Sequence, residues 1–132
     1  MAGSKIDYIN YRIERAYEAL NDARYLAEKE SWNATVNRLY YACFYAVTAL
    51  LLNNNLDTKT HSGAKRRFGL HFVNTGLISM RFNELYSDLM DYRQKGDYSD
   101  FMDNDRDNVL PLINPVEEFI NTIKQMIPAD VS

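Results

Sequence analysis

The run Asn37-Arg38-Leu39-Tyr40-Tyr41-Ala42-Cys43-Phe44-Tyr45-Ala46 most narrows what this chain can fold into. Around it, Trp32, Val36, Leu39, Tyr40, Cys43, Val47 and Leu50 recur at steps of three and four, the period of a helix. Tyr41, Ala42, Tyr45, Ala46 and Ala49 make the remaining faces apolar as well. A helix that is apolar nearly all round belongs inside a bundle rather than on its surface. The expected span is Ser31 to Asn53, with the Ser31 hydroxyl capping the first turn. Ala42, Ala46 and Ala49 allow neighbouring helices to come close. Arg38 stands out: a guanidinium among so many rings must reach water or find a carboxylate or phosphate.

The flanking segments supply the helices that bury this one. Ile6, Ile9, Ile13, Ala16, Tyr17, Leu20, Ala23 and Ala27 form one apolar stripe from Lys5 to about Lys29. The short break at Glu30-Ser31 makes the next helix return antiparallel. Asn53-Asn54-Asn55 ends it, three residues that favour turns and left-handed backbone. Thr58 to Gly63 reads as a polar connector, with Thr60 and Ser62 as helix caps. A third helix is expected from about Ser62 to Asn74, stopped at Thr75-Gly76. A fourth is expected from about Ser79 to Gln94 and stopped by Gly96. Gly96 to Asn108 reads as an acidic, mobile loop. A last helix runs from Val109 to Ile127, with Pro111 or Pro115 in its first turn or at a kink. No strand pattern and no internal repeat intervene. The fold class is therefore all-α, an up-and-down bundle of four or five helices, in one domain over residues 5–127 with loose ends at 1–4 and 128–132.

Composition excludes more than it selects. A net charge of −3 and an isoelectric point near 5.3 argue against a broadly basic nucleic-acid surface, while leaving room for a local patch. Ten tyrosines in 132 residues suit a core with polar tips and an interface. The single cysteine, Cys43, has no intramolecular partner and reads as a small core residue in a reducing compartment. No secretory leader or membrane-length apolar stretch is apparent, so a cytoplasmic location is expected.

Chemistry is sparse. His61, His71 and Cys43 do not make a zinc set, and no metal or cofactor is expected. Asp103-Asn104-Asp105-Arg106-Asp107 imitates the start of a calcium loop. Asn108 stands where the turn glycine belongs and Asn114 where the bidentate glutamate belongs. Two arginine-centred groups remain. In Lys65-Arg66-Arg67-Phe68-Gly69-Leu70-His71, cations precede an imidazole that could move a proton, which makes Arg66 and His71 the candidate catalytic pair. The bland alternative is a solvated basic turn. In Arg93-Gln94-Lys95-Gly96-Asp97-Tyr98, an arginine at a helix end faces an aspartate and a tyrosine across a glycine. Either Asp97 holds Arg93, or Arg93 takes a phosphate with Tyr98 as a donor.

Four pieces in order carry a resemblance: Asn37 to Phe44, Lys59-Thr60-His61-Ser62-Gly63, Phe72-Val73-Asn74-Thr75-Gly76, and Arg93 to Asp97-Tyr98. Together they resemble the HEPN family of small prokaryotic helical proteins, in the branch with an Arg-x-Tyr-Tyr second helix and an Arg-x-x-x-Asp-Tyr segment. The resemblance implies a four- or five-helix bundle that commonly forms a homodimer. It implies a neighbouring minimal nucleotidyltransferase as partner in a toxin–antitoxin pair. Many active members are metal-independent RNases that use an arginine followed four to six residues later by a histidine at the dimer cleft. Here Arg93 is followed by Asp97 and Tyr98 instead. Ionised aspartate only accepts hydrogen bonds, so it cannot serve as both acid and base. Arg66 and His71 meet the spacing, but earlier in the chain. The resemblance thus favours binding of a nucleotide, RNA or a protein partner, with little or no catalysis, through Arg38, Tyr41, His61, Arg93, Asp97 and Tyr98. A metal-independent endoribonuclease and a purely structural helical scaffold are the alternatives.

Overall fold

In a computed structural model, residues 4–98 and 104–128 are described, the side chains of residues 96–98 excepted. The elements are helices α1 (Lys5–Glu28), α2 (Trp32–Asn53), α3 (His61–Phe68), α4 (Met80–Tyr98), α5 (Arg106–Val109) and α6 (Ile113–Gln125). Among the described residues there is no strand. The fold is all-α, as the apolar periodicities require.

Helix α1 opens on a reciprocal cap rather than a loose end. Ser4 Oγ accepts from the Asp7 amide at 3.2 Å, and Asp7 Oδ2 accepts from the Ser4 amide at 3.1 Å. It closes with Glu30 in left-handed backbone (φ 58°), where the Ser31 amide donates to the Leu26 carbonyl and the Glu30 amide to that of Ala27. That sharp reversal sends α2 back along α1, and these two helices form the most extensive packing in the molecule. Both bury alanines, Ala16, Ala19 and Ala23 on one and Ala42, Ala46 and Ala49 on the other, so their backbones can approach closely.

Twelve of the 22 residues of α2 are buried, and α1, α3, α4, α5 and α6 all pack on it. It is the axis of the bundle. Its start corrects one expectation: the Ser31 hydroxyl makes no capping bond, and Thr35 instead donates to the Ser31 carbonyl at 2.8 Å. Its end follows the asparagine run, with Asn55 left-handed at φ 60° and the Leu56 amide reaching back to the Leu51 carbonyl at 2.8 Å.

Three further expectations are corrected. The third helix does not stay α-helical to Asn74; from Gly69 to Val73 it widens into a π-turn, with the Asn74 amide bonded to the Gly69 carbonyl. Gly96 does not stop α4, which continues to Tyr98. The segment expected to be mobile up to Asn108 is tied down where it is described. Asn104 is buried, its amide nitrogens donate to Asn33 Oδ1 and to the Tyr92 carbonyl, and Asp105 and Asn108 cap α5 reciprocally. Asn104 and Asp105, read as calcium-loop mimics, are thereby engaged in structure. Pro111 sits in a 3₁₀ turn, Leu110–Leu112, that separates α5 from α6. Helix α6 buries Ile113, Val116, Phe119, Ile120 and Ile123 against the rest. Among the described residues no helix is long and apolar enough to cross a membrane.

Candidate functional site

The site is assembled from three elements. Helix α2 supplies Arg38, Tyr40, Tyr41 and Phe44 within two turns. The first residue of α3 supplies His61, and the last turns of α4 supply Arg93.

His61 is placed by its connector. Arg12 donates to the Thr48 carbonyl at 3.0 Å and forms a two-pronged pair with Asp57 at 3.2 and 3.4 Å. Arg67 donates from Nη1 to the carbonyls of Leu56 and Asp57, both at 2.8 Å. These two arginines clamp residues 56 and 57. Thr60 then caps α3, its Oγ1 accepting from the Gly63 amide at 2.9 Å. A Cβ at residue 63 would stand 2.6 Å from both Thr58 Oγ1 and Thr60 Oγ1, so any side chain there displaces the hydroxyls that shape this turn.

So held, the His61 ring stacks on Phe44, with centroids 4.2 Å apart, and meets Tyr41 edge-on at 5.8 Å. Its Nδ1 lies 2.7 Å from the Tyr40 hydroxyl. Burial, with the Arg93 charge adding to it, holds the imidazole below the usual histidine range, so it is neutral at physiological pH. Burial pushes the Tyr40 phenol up to about 12, against the opposing pull of the Arg93 cation. Tyr86, beside Tyr40 in the core, is also pushed well up, chiefly by burial.

The two arginines meet at Tyr41. The Arg38 guanidinium carbon is 5.1 Å from the centre of the Tyr41 ring, and that of Arg93 is 5.5 Å from it and 5.0 Å from Tyr40. A cation over an aromatic face is held there by the negative centre of the ring. Arg38 donates twice to Asn37 Oδ1, at 3.1 and 2.9 Å. That partner is a neutral amide, which orients the guanidinium; among the described residues no carboxylate forms an ion pair with it.

Of the residues named from sequence, the structure brings together Arg38, Tyr41, His61 and Arg93. The side chains of Asp97 and Tyr98 lie outside the described residues; their backbone closes α4. Arg66 and His71 are both exposed, and among the described residues the contacts that gather the cluster include neither. Their neighbour Arg67 is engaged by the connector. Sequence reasoning missed the partners that hold His61, namely Tyr40 and Phe44. Both read as core positions of α2, and no local spacing links them to a residue in the next helix. Cys43 is fully buried, and burial pushes its thiol up, which removes it as a nucleophile.

The chain matches the HEPN domain family over residues 9–126. It belongs to the HEPN family. A Thermotoga maritima protein of the UPF0332 group is 37% identical over 119 residues, 90% of each chain. Two relatives from Methanocaldococcus jannaschii bear names that propose a toxin. One is 35% identical over 87% of this chain and 85% of its own, the other 30% identical over 87% and 78%.

Proposed function

We propose that this HEPN protein is the RNA- or nucleotide-binding half of a toxin–antitoxin type pair. It binds phosphate through Arg38 and Arg93 across the Tyr41 ring. The observation that carries this reading is the convergence of two guanidinium groups from different helices on one tyrosine. Guanidinium planes match phosphate oxygens in a forked geometry, and the aromatic floor is a surface on which a base can stack. The names of the M. jannaschii relatives support the toxin–antitoxin context. The chain works as a homodimer with a minimal nucleotidyltransferase as its partner, and catalysis is weak or absent. Titration of a fluorescent single-stranded RNA tests it: Arg38→Ala and Arg93→Ala each weaken binding. Unchanged affinity in both variants refutes it, as does a wild-type protein that binds neither RNA nor nucleotides.

A second reading is favoured by one observation, the packing of both His61 and Arg93 against the Tyr40 and Tyr41 rings. An arginine and a histidine at one site have the makings of a metal-independent endoribonuclease. This reading requires RNA cleavage in EDTA that His61→Ala abolishes. Loss with His71→Ala instead would transfer the role to Arg66 and His71, and cleavage that survives both substitutions removes the chemistry altogether.

A further inference from the structure

His61 can accept a proton or donate one, and the ring nitrogen that carries hydrogen decides which. Its Nδ1 lies 2.7 Å from Tyr40 Oη, a contact of either polarity. The surroundings of Tyr40 select one. Tyr40 is fully buried and its phenol keeps its proton, so that proton needs an acceptor. Tyr86 Oη is also buried and meets Tyr40 only in a contact looser than an ordinary hydrogen bond. That contact raises the Tyr86 phenol and lowers that of Tyr40, the pattern of Tyr86 donating and Tyr40 accepting, so Tyr86 does not take the Tyr40 proton. The guanidinium of Arg93 over the Tyr40 ring has nothing to accept with. The acceptor left for Tyr40 is His61 Nδ1. A neutral imidazole with its lone pair at Nδ1 carries its hydrogen on Nε2. Among the described residues nothing pairs with Nε2.

We infer that Tyr40 is a positioning residue that holds His61 as the Nε2–H tautomer, so that His61 presents a hydrogen-bond donor at Nε2 and favours an acceptor-only anion, the phosphodiester of a nucleic acid. This rests on the proposed function for the location of the ligand and goes beyond it in one respect: it assigns His61 the part of a phosphate donor rather than a base. Stacking of His61 on Phe44 keeps the ring from turning over, so the polarity set at Tyr40 is delivered at Nε2.

The full chain, labelled with ¹⁵N-histidine, answers directly by NMR. His71→Gln leaves one histidine and assigns the signals. The expected spectrum near neutral pH shows a bare Nδ1 and a protonated Nε2 at residue 61. A protonated Nδ1 overturns the inference, and this needs no variant at the site to fold. Tyr40→Phe keeps the ring and removes the donor; it is expected to mix the tautomers and to weaken binding of a 2′-deoxy dinucleotide about threefold to tenfold. An unchanged tautomer in Tyr40→Phe overturns the positioning role. The uncharged methylphosphonate analogue is expected to bind at least about tenfold more weakly than the diester. Equal binding of the two, or binding of neither, overturns the ligand class and the proposed function with it. A wrong tautomer with intact, arginine-dependent RNA binding overturns this inference alone.

Discussion

The molecule contains two arginine–histidine pairs, made in opposite ways. Arg66 and His71 stand close in sequence and are exposed on α3 and the π-turn that follows it. Arg93 and His61 stand on different helices and are drawn together by Tyr40, Tyr41 and Phe44. A charge in open water is screened and held in no one geometry, whereas a charge against rings acts at short range on what is beside it. The Arg93 charge reaches the His61 imidazole, and burial already holds that imidazole neutral. Spacing along the chain therefore identifies a pair of residue types; packing turns a pair into a site.

The comparison breaks most directly on RNA affinity. Arg38→Ala with Arg93→Ala is expected to weaken single-stranded RNA binding about a hundredfold, roughly tenfold for each guanidinium taken away from the phosphate, with a shallower salt dependence. Arg66→Ala with His71→Ala is expected to stay within about twofold. Fluorescence anisotropy at two salt concentrations measures both. An equal loss in the two double variants would mean that exposed charge, not the ring-bound cluster, binds the RNA.

Stability draws the second contrast, between adjacent arginines. Arg67→Ala strands the carbonyls of Leu56 and Asp57 and should cost about 2 kcal/mol in urea unfolding, within the range for hydrogen bonds to charged groups. Arg66→Ala, at an exposed position, should cost less than about 0.5 kcal/mol.

Alkaline pH gives the third. Tyrosine in the unfolded chain ionises near 10, whereas folded Tyr40 holds its proton to about 12. Between those values the unfolded chain has lost a proton that the folded chain keeps, so stability falls as pH rises through the window. A drop in Tm of about 5 °C is expected there. Tyr40→Phe should lessen it without abolishing it, because burial also raises Tyr86 and Cys43, and His71→Ala should leave it as it is.

The bundle was legible because its signal is local. The stripes of α1, α2 and α6 are periodic within themselves, and burial of one face explains each. What was illegible depended on partners. The Ser31 hydroxyl looks like a cap, but nothing in the sequence shows that Thr35 will bond to the Ser31 carbonyl instead. Gly96 looks like a stop, but a helix passes through a glycine at modest cost when nothing demands a turn. The grouping of Arg38 with Arg93 rests on the family resemblance, because no spacing along the chain links residues on two different helices. The part played by Tyr40 was not legible, since a core tyrosine and a tyrosine that sets a tautomer share one place on the helical stripe.

Two glycines near opposite ends of α3 sharpen the same lesson at the smallest scale. Gly63 lies under the connector that places His61, where a Cβ would meet Thr58 Oγ1 and Thr60 Oγ1 at 2.6 Å. Gly63→Ala must push both threonine hydroxyls aside and break the Thr60 cap, a cost of about 1 kcal/mol or more, and it should also weaken RNA binding because His61 moves with the cap. Gly69, at the start of the π-turn toward His71, has ordinary helical backbone (φ −61°, ψ −48°) and nothing within 4 Å of an added Cβ. Gly69→Ala should therefore stabilise the fold by about 0.5 kcal/mol, chiefly by restricting the unfolded chain, and leave binding alone. Thermal unfolding read beside RNA affinity separates the two. If Gly69→Ala weakened binding as much as Gly63→Ala does, the His71 end of α3 would belong to the site, and the distinction between the two pairs would fail.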